Sequence, residues 1–154
     1  MTVPVAGVHG MRRAAAPISA TRLAHGSREH TVSFLAAGSC AVLSAVVYLG
    51  AMTYTLAHYR DWEGPAAFFV SVAFALIALL AVVPHLVGEA TASSARFFPR
   101  AMMWGTCLVL AALQVTAAVF GDGARFSLSA LIGTLTVLAV GCFGEMAAFS
   151  LTDA

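Results

Sequence analysis

The chain has no lysine, no pair of neighbouring cysteines and few charges of any kind, and each shortage removes a class of chemistry. Without lysine there is no residue to form a Schiff base with retinal or pyridoxal phosphate. Cys40, Cys107 and Cys142 stand far apart in sequence, so the Cys-x-x-Cys pair that a thiol–disulfide oxidoreductase needs is missing. Each cysteine reads as small apolar packing. No phosphate-cradling glycine loop and no metal-spaced cluster of His and Cys occurs. Neither a cofactor nor a metal ion is therefore expected, and nothing points to nucleic acid as a partner.

What the chain has is apolar length. Charged residues make up 10% of the 154 positions against 60% hydrophobic, and mean hydropathy is +0.90, far outside the range of soluble domains. Apolar runs at 32–58, 65–88, 101–120 and 128–151 each meet the roughly 20 residues that a helix needs to cross a bilayer. The polar residue at every second position that marks a membrane barrel strand is absent from them. The expected fold is an all-α integral membrane protein, an antiparallel four-helix transmembrane bundle over 31–154, with the lipid bilayer as its surroundings.

Residues 1–30 form a basic arm, with Arg12, Arg13, Arg22 and Arg28 against Glu29. The apolar run 14–20 is interrupted by Pro17 and followed by Arg22, which argues against a cleaved secretory signal. The arm is expected to be disordered, or a frayed helix, with some attraction to anionic lipid. The positive-inside rule then orients the chain. With the N-terminus in the cytoplasm, Arg96 and Arg100 join the arm's arginines inside and only Arg60 and Arg125 fall outside. An even number of spans returns the C-terminus to the cytoplasm of a cell membrane. Gly121, Asp122 and Gly123 have the chemistry of a tight turn. Ala37, Ala41 and Ala45, and Gly144 with Ala148, mark seams where helix backbones approach closely, within the chain or toward a partner.

Ionisable groups are costly in lipid, so the few present are the candidates for function. Toward the outer face, Tyr54, His58 and Asp61 recur at helical spacing with Tyr59, Trp62 and Glu63 beside them. This group suits a polar headgroup, a proton relay, or simply an aromatic belt at the interface. Toward the inner face, His85 and Glu89 share a helix face just past Pro84. Glu145, near the end of the fourth run, lies at comparable depth, as do Trp104 and the arginines Arg96 and Arg100 of the linking loop. Should these converge, two arrangements are open. Glu145 can stay protonated in apolar surroundings and act as a proton donor, or it can pair with His85, Arg96 or Arg100 and close the bundle.

Several of these residues also carry a resemblance. Tyr48 in the first span, Trp62, Glu63 and Gly64 ahead of the second, Phe97, Phe98 and Pro99 followed by Trp104 around the third, and Phe143 with Glu145 near the end occur in the order seen in subunit 4 of actinobacterial cytochrome c oxidase. The resemblance covers residues 42–149. That family has a long acidic loop between spans two and three, which is short here, and lacks the basic arm. The resemblance implies a non-catalytic accessory subunit that packs against other membrane subunits of a haem-copper oxidase and binds no haem or copper itself. Consistently, His58 and His85 fall near opposite faces and cannot ligate one haem.

The rival reading is a membrane enzyme such as a terpene cyclase or isomerase acting on a lipid-soluble prenyl substrate. Glu145, Glu89 or Glu63 would supply the proton, and Trp104, Phe143, Phe149, Tyr54 and Trp62 would line a cavity and stabilise a cation. The phenylalanines at 68, 69, 74, 97 and 98 read as lipid-facing or core packing. A transporter would need a polar file, and only Ser44, Gln114, Thr116 and Thr136 stand at mid-depth.

Overall fold

The computed structural model describes residues 20–91, 96–120 and 127–152. Nearly all of them lie in four α-helices, α1 (Ala20–Tyr59), α2 (Gly64–Ala90), α3 (Phe97–Val119) and α4 (Leu128–Thr152). No strand occurs among the described residues. Each helix is long and apolar enough to cross a membrane, α1 from Arg28 onward. The chain is an all-α, multi-pass membrane protein.

Two helix starts differ from the sequence expectation. α1 begins at Ala20, well inside the basic arm. α3 begins at Phe97, so Pro99 sits in its first turn, where a missing N–H breaks no helical bond. Arg100 is consequently helical and not part of the linking loop. Residues 1–19 with Arg12 and Arg13, the loop positions 92–95, and the expected turn at 121–123 with Arg125 lie outside the described residues.

The visible ends have local causes. After α1 the chain reverses at Asp61, whose φ of 52° lies in the left-handed region that a short polar side chain tolerates. The reversal lets the Trp62 N–H reach back to the Leu56 carbonyl at 3.3 Å. Glu63 then caps α2 with Pro65 in its first turn. At the start of α4, the Ser127 hydroxyl accepts the Ala130 N–H at 3.2 Å, satisfying one of the free donors of a helix start.

Cross-helix bonds establish the up-and-down order. Thr55, late in α1, meets Ser129, early in α4, at 3.4 Å. Trp104, early in α3, meets Glu145, late in α4, at 2.9 Å. α4 contacts all three other helices and packs most extensively on α1. The buried face of α2 runs through Ala67, Ser71, Ala75, Ala78, Val82 and His85, in steps of three or four residues as one helix face requires. Ala37, Ala41 and Ala45 of α1 and Gly144 and Ala148 of α4 are likewise buried, so both seams join helices of this chain. Long apolar side chains such as Leu35, Leu43, Phe69 and Leu80 point outward.

Since lipid tails are as apolar as leucine, helix association here depends on close backbone approach and on polar contacts. Two glycines show the first. A Cβ on Gly133 would stand 2.6 Å from the Gln114 Cδ, and one on Gly144 would stand 3.0 Å from the Met103 Sδ and the Val82 Cγ1. By contrast, no heavy atom of another element lies within 4 Å of a Cβ built on Gly50 or Gly105. Gly133→Ala is therefore expected to destabilise the bundle by about 1–3 kcal/mol through overpacking, whereas Gly50→Ala and Gly105→Ala are neutral or stabilise it by up to about 1 kcal/mol through helix propensity. Unfolding in mixed micelles measures both, and equal effects at inner and outer glycines would contradict this packing.

Candidate functional site

Glu145 is the point where three helices meet. Its Oε1 accepts two N–H bonds from α3, one from the Arg100 Nε at 2.6 Å and one from the Trp104 Nε1 at 2.9 Å. Its Oε2 faces the His85 Nε2 of α2 at 3.3 Å. With the carboxylate as acceptor, Nε2 of His85 carries the hydrogen. Of the two arrangements open on the sequence, the ion pair is the one found, with Arg100 and not Arg96 as its cation.

Helix geometry makes the convergence possible. Arg100 and Trp104 are four residues apart and so share one face of α3, both directed at α4. That register exists because α3 starts before Pro99. One turn ahead of Glu145 is Gly141, where a Cβ would stand 3.2 Å from the indole Cζ3 of Trp104. The missing side chain lets the indole lie against α4 with its N–H at the carboxylate. His85 is 2% exposed and comes from the buried face of α2, which continues as a helix past Pro84.

Exposure separates the contributions. The Arg100 side chain is 60% exposed and that of Glu145 24%, so their ion pair is in the range of exposed pairs, about 0–1 kcal/mol. The indole bond to a charged acceptor, less accessible to solvent, is in the range of about 1.5–3 kcal/mol. Arg100 cancels the charge, while Trp104 and His85 fix the position.

The other expected members fall elsewhere. Glu89 pairs with Arg96 at 3.5 Å instead of joining His85 on its own helix face. At the opposite end of the bundle, Tyr54 and His58 stack with ring centres 5.2 Å apart, and Tyr59 sets its edge against both. Tyr54, His58, Asp61, Trp62 and Glu63 are all exposed, and no described residue of α2, α3 or α4 hydrogen-bonds to their side chains. This is the arrangement of an interfacial aromatic belt. Glu63 serves as the α2 cap through its backbone carbonyl, which accepts the Ala67 N–H at 3.0 Å. The rings expected to line one cavity are divided: Trp62 borders a groove with Leu56 and Arg60, Tyr54 one with Gly50 and Ser129, and Phe149 one with Glu145.

A second polar joint was not foreseen. The Gln114 Nε2, fully buried in α3, donates to the Thr55 Oγ1 of α1 at 2.8 Å and to the Ser129 carbonyl of α4 at 3.3 Å. Gln114 and the early serines of α4 were readable as polar letters. Their meeting depends on helix rotation and on the space left by Gly133. Among the described residues no group of His, Cys, Asp and Glu is placed to hold a metal ion. The chain matches no known protein family, no curated protein and no solved structure.

Replacing Trp104 by Phe keeps the ring and deletes its N–H, and is expected to lower unfolding free energy in mixed micelles by about 1–2 kcal/mol. Arg100→Gln is expected to lower it by less than about 1 kcal/mol. The reverse ranking would show that the exposed ion pair, and not the indole, holds the joint.

Proposed function

We propose that this chain is a non-catalytic subunit of a larger membrane complex, recognising its partners through outward-facing grooves while its own polar groups hold its bundle together. The observation that carries this reading is the placement of three glycines. A Cβ on Gly38, Gly50 or Gly105 would meet no other element within 4 Å, and each glycine borders a shallow apolar groove on the outside of the bundle. A glycine facing lipid costs helix stability and gains nothing, whereas a partner helix can use it for close approach.

The state of Glu145 supports the same reading. Its carboxylate is engaged by Arg100, Trp104 and His85, which suits a structural ion pair better than an acid delivering a proton to an alkene. The resemblance to subunit 4 of actinobacterial cytochrome c oxidase makes a respiratory haem-copper oxidase the proposed partner. The end bearing Arg96, Arg100 and the start of α1 then faces the cytoplasm of the cell membrane, with both termini inside.

Purification from native membranes in mild detergent tests the proposal. The chain is expected to travel with a haem-absorbing complex, and Gly105→Leu or Gly50→Leu is expected to release it at least tenfold while leaving its own unfolding unchanged. A chain that migrates alone from native membranes would sink the proposal. The enzyme reading makes the opposite demand. Membranes carrying Glu145→Gln should show an unchanged product profile with an epoxidised prenyl substrate, and loss of a cyclised product would favour catalysis instead.

A further inference from the structure

At the end of the bundle away from Glu145, a groove of about 460 Å³ lies among α1, α2 and α3. Arg60, Trp62, Leu56, Met52, Phe74 and Leu113 are among its lining residues. Depth along the helices sorts them. Arg60 and Trp62 follow the end of α1 at Tyr59, whereas Leu56 and Met52 lie about one and two turns inside it. On α2, Phe74 stands about 15 Å of helix rise past Gly64, and on α3, Leu113 stands about 9 Å before Val119. The groove therefore runs from a polar mouth at the helix ends into the hydrocarbon layer. Met52 and Leu56, 2% and 5% exposed, form its inner wall, and Leu113, 40% exposed, stands on its lipid-facing side.

Both polar side chains of the mouth, Arg60 and Trp62, are donors only. Arg60 is exposed, and of the five N–H donors of a guanidinium it uses one, from Nη1 to the Phe120 carbonyl at a long 3.4 Å. Among the described residues no carboxylate lies within ion-pair distance of Arg60. Thr116, the remaining polar residue of the lining, donates its hydroxyl to the Ala112 carbonyl of its own helix. Asp61 and Glu63 are exposed and outside the lining, so they act on a bound headgroup only through water and salt.

A ligand that fits carries an anion with acceptor oxygens at headgroup depth and hydrocarbon directly beneath it. We propose that this groove binds a phospholipid of net negative charge. The phosphate accepts from the Arg60 guanidinium, one acyl chain lies along Leu56, Met52 and Phe74, and the other stays in the bilayer. Head at the helix ends and chain running inward is also the order of the surrounding leaflet. The two unbridged phosphate oxygens match the guanidinium fork, and the bond is charge-assisted. A phosphatidylcholine head adds a quaternary cation that Arg60 repels, so net headgroup charge discriminates between the two. The groove is separate from those bordered by Gly38, Gly50 and Gly105, and can hold a lipid whether or not a partner occupies them.

Native mass spectrometry of the purified full chain in mild detergent, titrated with phosphatidylglycerol, phosphatidylcholine and oleate, tests the site. Phosphatidylglycerol is expected to bind about fivefold more tightly than phosphatidylcholine, the ratio that one arginine beside an anionic lipid supplies. Arg60→Gln is expected to bring the two phospholipids to parity. Thr116→Trp fills the groove from an exposed wall position and leaves Arg60 in place. It is expected to weaken phosphatidylglycerol about fivefold or more in a chain whose unfolding in mixed micelles is unchanged. Asp61→Asn combined with Glu63→Gln is expected to keep the preference or raise it. Equal binding of the two phospholipids by the unaltered chain overturns the proposal, as does a preference that survives Arg60→Gln or Thr116→Trp. Oleate binding more tightly than phosphatidylglycerol would assign the groove to a single-chain acid, and loss of the preference on removing the Asp61 and Glu63 charges would assign it to those carboxylates. Either result overturns the proposal too.

Discussion

A carboxylate within a transmembrane helix has to be answered, and the arrangement of α2, α3 and α4 follows from how Glu145 is answered. Burying apolar surface gives no net drive to associate helices in lipid. A hydrogen bond between transmembrane helices averages only about 0.6 kcal/mol. A charged residue left unpaired at the centre of a span, on insertion scales, costs roughly 2.5–3.5 kcal/mol. Glu145 lies two turns from the end of α4 and is 24% exposed, so its own penalty falls below that value, and it is met by three partners at once. Separating α3 from α4 exposes that penalty, because Arg100 and Trp104 leave together. The joint depends on orientation as well: Arg100 and Trp104, one turn apart on one face of α3, place two N–H groups on one oxygen.

Gln114 makes a weaker joint at the other end, and the two together explain an asymmetry. The Glu145 joint ties α2, α3 and α4, and the Gln114 joint ties α1, α3 and α4. In these two joints α3 and α4 take part at both ends, and α1 and α2 at one each. Toward the start of α1, Ala37 and Ala41 are buried small residues. A seam of alanines brings backbones close but fills no space beyond them, and toward the start of α1 the helices leave the groove between Ser33 and Phe149.

Most of the fold was readable because its determinants are local. A run of about 20 apolar residues must be a helix in lipid, where unpaired backbone groups are prohibitive, and all four runs became helices. The errors have one character. The apolar run beginning at Ala101 leaves Arg100 in the linking loop, whereas the helix begins at Phe97 with Pro99 in its first turn. His85 and Glu89 were paired because they share a helix face, but His85 turns into the bundle and Glu89 takes Arg96. Spacing along one helix gives the residues that can meet. Which of them do depends on the rotation of its neighbours, set here by absences: Gly141 admits Trp104, Gly133 admits Gln114 and Gly144 admits Met103. A glycine in a sequence does not say what fills its space.

The two joints also bear on transport across the bundle. Between them along α3 lie Cys107, Leu110 and Ala111, and along α4 Val137 and Val140, all buried and apolar. α1 adds Tyr48, fully buried, whose hydroxyl donates to the Leu110 carbonyl at 3.5 Å, a weak bond at the edge of hydrogen-bonding range. Among the described residues, a proton passing from Glu145 toward Gln114 would meet in this layer only the Cys107 thiol and the Tyr48 hydroxyl, and no hydrogen bond links either side chain to Glu145 or Gln114. Conduction needs sites that a charge can enter and leave. Here the charge at one end is fixed by a guanidinium, and the amide at the other is neutral. The polar groups of this bundle are joints at separate depths, each holding three helices with an apolar layer between them.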